Sequence, residues 1–177
     1  LHMLLTFLFI LLNAMSPSLI YDFDKDNSTA NWRVVDDGVM GGLSQGKLTV
    51  NKDGHGEFTG TVSLENNGGF SSLRYRFKTI EASEEQSIVL SIKGDGKKYQ
   101  FRVKDDINQY HSYVYDFQTN GEWQTVNIPL AKMYPSFRGR KLNIPNFNQS
   151  QLEEIAILIG NKKAESFELM IDKVELK

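Results

Sequence analysis

From residue 20 onward the sequence predicts an all-β sandwich of the jelly-roll kind, with about ten strands and at most short helices. Three observations predict it: apolar residues recur with period two, turn residues interrupt them every 8 to 14 residues or so, and helical patterning is sparse. In Leu73-Arg74-Tyr75-Arg76-Phe77-Lys78 every second side chain is apolar and the others are cationic, the signature of a half-buried strand. The same alternation runs through Ile88, Leu90 and Ile92, then through Tyr99, Phe101 and Val103 against Lys98, Gln100, Arg102 and Lys104. Tyr113, Tyr115 and Phe117 continue it, followed by the segment from Trp123 to Ile128 and the closing run from Phe167 to Leu176. Turns with residues that tolerate positive φ stand at Asn51-Lys52-Asp53-Gly54, Lys93-Gly94-Asp95-Gly96 and Thr119-Asn120-Gly121. Helix is expected only near Leu130 to Tyr134 and as a turn at Ser150 to Glu154, where Ser150 and Glu153 have capping-box spacing. Ile155 to Ile159 is continuously apolar, as for a strand covered on both faces.

Composition bounds the chemistry. The 177 residues suit one domain with a substantial core. With no cysteine there is no disulfide framework, thiolate metal site or cysteine nucleophile. A net charge of −2, from 20 Lys and Arg against 22 Asp and Glu, argues against a dedicated nucleic-acid binder. Residues 1–19 differ from the rest in carrying no Asp, Glu, Lys or Arg. The apolar run within them is too short to span a bilayer but has the length of a signal-peptide core. Read as a leader, residues 3–16 make the protein exported or membrane-associated, with membrane contact only through residues 4–14. Read as a packed helix, they leave it cytoplasmic.

Three patterns suggest chemistry. Gly42-Leu43-Ser44-Gln45-Gly46 has the G-x-S-x-G spacing of serine hydrolases, but a strand, Lys47 to Val50, follows where that motif needs a helix. Asp36-Asp37 with Glu57 or Glu65 has the makings of a glycosidase pair, as does any acidic sandwich. Asp22-Phe23-Asp24-Lys25-Asp26 begins like a calcium loop without the Gly and Glu that an EF-hand requires, which leaves a calcium site of Asp22 or Asp24 with Asp172 where the first and last strands meet. None of these supplies a convergent acid, base and nucleophile, so the expectation is a protein that is not an enzyme.

Two segments are more informative. Trp32 to Ser44 and Ser63 to Arg74 each set an Asp or Asn pair (Asp36-Asp37, Asn66-Asn67) beside a glycine pair (Gly41-Gly42, Gly68-Gly69), flanked by large apolar residues such as Met40. Glycines cost conformational entropy, so their pairing needs a reason. Either these are two tight turns locked by side chains, or both loops build one rim pocket. Beyond the second pair, Arg74, Arg76 and Lys78 share a strand face that Arg102 and Lys104 can join. Such a face binds an anionic or polar partner unless neighbouring glutamates neutralise it. The basic loop Arg138-Gly139-Arg140-Lys141 lacks interleaved aromatics for nucleic-acid stacking.

The two segments closely resemble the complex I intermediate-associated protein family, through Trp32 to Ser44 and Gly60 to Arg74. Trp123 to Pro129, Phe137-Arg138-Gly139, Ile155 to Gly160 with Lys162, and Phe167 to Leu176 extend the resemblance over nearly all of residues 20–177. Asp37 stands where the family pattern varies. The resemblance implies a galactose-binding-like jelly roll, similar to carbohydrate-binding modules and without a known catalytic residue. It further implies a stand-alone bacterial member related to assembly factors of NADH:ubiquinone oxidoreductase. The expected function is therefore a non-catalytic binding or assembly module, chaperone-like, that holds a protein partner through Trp32, Asp36, Asp37, Met40, Gly41, Gly42, Ser44, Asn66, Asn67, Gly68, Gly69, Arg74 and Arg76. The alternative is a carbohydrate-binding module stacking sugars on Tyr110, Tyr113 or Trp123, and a hydrolase is the third reading. No cofactor is expected beyond a structural calcium.

Overall fold

The computed structural model describes residues 17–26 and 28–177, apart from the side chains of Asp26, Val39 and Met40. The leader or tether expected of residues 3–16 therefore lies outside the described residues. The described residues form thirteen strands: β1 (Ser18–Asp22), β2 (Trp32–Asp36), β3 (Gln45–Val50), β4 (Gly56–Val62), β5 (Ser71–Glu81), β6 (Ser87–Lys93) and β7 (Lys98–Lys104) come first. They are followed by β8 (Ser112–Gln118), β9 (Trp123–Pro129), β10 (Tyr134–Phe137), β11 (Arg140–Lys141), β12 (Gln151–Ile159) and β13 (Glu165–Leu176). One four-residue helix, α1 (Phe23–Asp26), follows β1, and 3-10 turns lie at Asp37–Met40, Glu65–Asn67 and Leu130–Lys132. Among the described residues no helix is long and apolar enough to cross a membrane.

The strands form two antiparallel sheets. One runs β3-β4-β13-β6-β9, with β1 also paired to β13, and the other runs β11-β10-β8-β7-β12-β5-β2. β13 is long enough to take two partners along one edge. Its residues 165–171 pair with β4, and the stretch from Lys173 to Leu176 pairs with β1. Period-two alternation turns Leu73, Phe101, Val103, Tyr113 and Phe117 of one sheet, and Phe58, Ile88, Leu90, Leu169 and Ile171 of the other, into one buried core. Each such side chain, fully buried, contributes about 1.5–3 kcal/mol of transfer free energy.

Two local expectations are corrected. Ser150 to Glu154 is not a capped turn, because β12 starts at Gln151 and pairs with β5 from Gln151↔Glu81 onward. The Glu153 carboxylate, instead of capping, accepts from the Thr79 hydroxyl (2.9 Å) and the Ile107 N–H (3.0 Å). The ladder supplies more bonds than a cap, so the tertiary pairing wins. Trp123 does not alternate inward with β9, where Ile128 is buried, and it is 43% exposed. The apolar run from Ile155 to Ile159 is buried throughout, as expected of a strand covered on both faces. Ala156 and Leu158 there stand opposite the long polar side chains of Arg74, Arg102 and Gln100.

Candidate functional site

The two glycine-pair loops meet, and a carboxylate joins them. β2 pairs with β5 down to Asp36↔Ser71, and the chain then turns through Asp37–Met40 to Gly41, which adopts φ +84°. Asp37 is buried. Its Oδ1 accepts from the Ser44 N–H (3.1 Å), while Oδ2 accepts from the Ser44 hydroxyl (2.5 Å), the Gly69 N–H (2.6 Å) and the Phe70 N–H (3.2 Å). Ser44 Oγ in turn accepts from the Ser63 N–H at 3.0 Å, and Asn66 Nδ2 donates to the Gly41 carbonyl at 2.9 Å. Asp36 joins the sheets, because its carboxylate accepts from the Ser71 hydroxyl (2.5 Å) in one and the Gly46 N–H (3.0 Å) in the other. Burial raises the Asp37 pKa, but the bonds from the Ser44 hydroxyl and the Gly69, Phe70 and Ser44 N–H groups outweigh it, so the carboxyl titrates below the ordinary Asp value.

The glycines now have their reason. A Cβ on Gly42 would lie 2.2 Å from Asp37 Oδ1, and one on Gly68 would lie 2.7 Å from Asp37 Oδ2 and 2.9 Å from the Ser63 carbonyl. The side-chain lock and the shared rim, alternatives in the sequence, thus coexist. The carboxylate fills the space between the loops, and the loops turn Leu43 (51% exposed) and Leu64 (45% exposed) outward. Ser44 is followed by β3 rather than a helix, and its hydroxyl is held by Asp37 and Ser63. The Met40 side chain lies outside the described residues.

A second arrangement occupies the outer face of the seven-stranded sheet. Register places Arg33 opposite Arg74, Arg74 opposite Ala156, Ala156 opposite Arg102, Arg102 opposite Val114, and Val114 opposite Tyr134, one row across six strands. At about 4.8 Å per strand, Arg102 lies about 10 Å from Arg74. The row contains no carboxylate. The next row pairs Arg76 with Glu154 and Glu154 with Lys104, and Arg76 Nε donates to Glu154 at 2.7 Å. Neutralisation by glutamate thus holds for Arg76 and reaches Arg74 only from the neighbouring row, while Arg102 donates to Gln100 Oε1 from Nε (3.2 Å) and Nη2 (2.7 Å).

Burial lowers the Arg74 pKa, Glu154 partly offsets that, and the neighbouring Arg33 and Arg76 charges lower it further. Arg102 is shifted down by burial first and then by Arg74. Arg74 Nε is buried without a hydrogen-bond partner, and so is Trp32 Nε1. A buried donor left unpaired costs about 1–3 kcal/mol. Both residues line one cleft of about 410 Å³ together with Ala30, Asn31, Arg33 and Arg76. The Trp32 ring itself belongs to the core, stacked on Tyr75 and Phe23.

A third cluster lies where the edge of β13 passes from β4 to β1. Asp24, His55 and Asp172 offer ligand atoms within 4.8 Å of one another. Asp22, expected as an alternative to Asp24, is not in this group, and its carboxylate instead lies 3.3 Å from Lys25 Nζ. Two carboxylates and an imidazole suit a transition metal better than calcium, which prefers six to eight oxygens. His55 had no signal in the sequence, because only the turn before β4 delivers it to that edge. The aromatics expected to stack sugars are scattered: Tyr113 is buried, Tyr110 (64% exposed) precedes β8 in one sheet, and Trp123 lies on β9 in the other. In the basic loop, Arg138 lies over the Phe137 ring and Lys141 over Tyr134. Of the residues expected at the site, the structure joins Asp36, Asp37, Gly41, Gly42, Ser44, Asn66, Gly68 and Gly69 in the loop network. Arg74 and Arg76 stand apart on the sheet face.

Comparison with known proteins gives a family and a fold. The family model described as Complex I intermediate-associated protein 30 (CIA30) matches residues 21–171. An uncharacterised protein of Schizosaccharomyces pombe is 33% identical, over 81% of this chain and 76% of that protein. The fold is similar to that of a family 11 carbohydrate-binding module from Clostridium thermocellum, solved in complex with a β-1,3-1,4-mixed-linked tetrasaccharide. That likeness has a TM-score of 0.66 and 19% identity, covering 90% of this chain and 94% of the other. The same fold recurs in an agarase, with a TM-score of 0.59 and 12% identity over 91% of this chain and 24% of the enzyme.

Proposed function

We propose that this chain, which belongs to the complex I intermediate-associated protein 30 family, is a non-catalytic binding and assembly module that holds a partner protein on the rim of its two glycine-pair loops. One observation carries this reading: the Asp37 carboxylate ties both loops into a single unit and leaves Leu43 and Leu64 exposed on it. A rim ordered in advance loses little conformational entropy on association, and its apolar side chains supply the anchor. The polar groups of Asp36, Asp37 and Ser44 act inside the rim as its frame, and the partner meets the outer side chains. The family's name supports an assembly role.

The test compares the tagged wild-type chain with a Leu43→Asp, Leu64→Asp variant in copurification from the native host. The variant is expected to lose the wild type's specific partner while keeping its melting temperature. The same partner recovered in the same amount from both would sink the reading. Carbohydrate binding is the second reading, favoured by the fold shared with the family 11 module. Against the stacking of a neutral sugar stand the burial of Tyr113 and the separation of Tyr110 and Trp123 onto different sheets.

A further inference from the structure

The row of Arg33, Arg74 and Arg102 is unusual for what it lacks. Like charges directly opposite one another on neighbouring strands destabilise a sheet, yet Arg33 faces Arg74 with no carboxylate in the row. The cleft at the β2 edge is lined by Ala30, Asn31, Trp32, Arg33, Arg74 and Arg76, again without an acid. One of those lining residues carries a buried, unpartnered donor, Arg74 Nε. A group that accepts several hydrogen bonds and carries negative charge would satisfy that donor and relieve the repulsion together, and a carboxylate meets a guanidinium with two parallel bonds.

The flanking rows narrow the ligand. Asp116 and Gln100 lie beside the arginines on one side, and Glu154 on the other. Ser72, opposite Leu158 on the same face, has a buried hydroxyl without a partner. Carboxylates at these positions accept hydrogen bonds from hydroxyls, which a segment of successive Asp and Glu side chains does not offer. A nucleic acid is disfavoured by the net charge of −2. The ligand that offers both carboxylates and hydroxyls is an acidic sugar.

We therefore infer that the outer face of the seven-stranded sheet, from the Trp32–Arg33–Arg74–Arg76 cleft to Arg102, binds a uronate-bearing glycan. The arginines take its carboxylates, and Asp116 and Glu154, whose oxygens keep lone pairs beside the bonds from Gln100, Tyr134 and Arg76, take its hydroxyls. Recognition works by charge and hydrogen bonding rather than by aromatic stacking. This site uses none of the rim residues Leu43 and Leu64, so it goes beyond the partner-holding role and stands or falls separately.

Calorimetric titration of the full chain with hexagalacturonate, neutral mixed-linked β-glucan oligosaccharide and poly-L-glutamate tests it. The uronate is expected to bind and to weaken as salt is raised. The neutral sugar and poly-L-glutamate are expected to bind much less. Arg33→Gln, on an exposed edge-strand residue whose loss leaves the core intact, and Arg102→Gln should each weaken uronate binding about tenfold or more. Arg33→Lys should not restore it, because the paired donors are gone. Leu43→Asp with Leu64→Asp should bind as the wild type does. No uronate binding by a chain with its normal melting temperature, or binding unchanged in Arg33→Gln, overturns the inference. Tighter binding of poly-L-glutamate also overturns it and assigns the row to an acidic protein, whereas equal binding of the neutral sugar removes charge from the recognition.

Discussion

Strands β2 and β5 carry two polar clusters that are built in opposite ways. At the end where Asp36 faces Ser71, donors and acceptors are matched, and the Asp37 carboxylate alone takes four hydrogen bonds from residues on both loops. Three residues back along β2, Arg33 faces Arg74, with no carboxylate in their row and Arg74 Nε left without a partner. A saturated cluster contributes to stability and to the shape of the backbone around it. An unsaturated one costs stability. The sequence pattern that identifies the family is largely spent on the first kind, and the arginine row lies beside it on the same two strands.

The contrast breaks first at Asp37. Asp37→Ala strands the Ser44 hydroxyl and the Gly69 and Phe70 N–H groups, and is expected to cost about 3 kcal/mol in urea unfolding. A cost below about 1 kcal/mol would mean that water replaces the carboxylate and that the loops are not joined through it. Gly42→Ala comes next, at about 2 kcal/mol, because its Cβ would meet Asp37 Oδ1 and the Asp37 carbonyl at 2.2 and 2.8 Å. Partner binding at the rim should fall with it.

Acid acts on the same cluster. The Asp37 carboxyl titrates lower in the folded protein than when unfolded. Its contribution is therefore complete above the unfolded Asp value of about 3.9 and is lost as pH falls through the folded value. Melting temperatures of the wild type and Asp37→Asn should converge as pH drops below about 4, and a constant gap across that range would contradict the assignment. The smallest effect is expected on the arginine face, with opposite sign. Arg74→Met removes a cation beside Arg33 and a buried unpaired donor, and should stabilise the fold by up to about 1 kcal/mol. Destabilisation of similar size would show that Arg74 already has its partners inside the protein.

Much of the architecture is legible in the chain, since Leu73 to Phe77 and Tyr99 to Val103 announce their inward faces by period two alone. Legibility fails where local pattern and pairing compete. Ser150 and Glu153 have the spacing of a helix cap, but residues 151–159 find two neighbouring strands, β5 and β7, and extend. The short strands β10 and β11 escape notice because each takes its order from its partner.

The sequence by itself determined the period of β5, β6, β7, β8 and β13, the sandwich class and the two loops in which paired glycines stand beside paired polar residues, all properties set within a few residues of chain. Tertiary structure alone decided that the Asp37 carboxylate belongs to both loops, although Gly69 lies 32 residues further on. It alone placed Arg33, Arg74 and Arg102 in one row through strands β2, β5, β12 and β7, and brought His55 to Asp24 and Asp172. The physical reason is register. Alternation tells which face a side chain takes, but the partner across the sheet depends on where distant strands come to rest against each other.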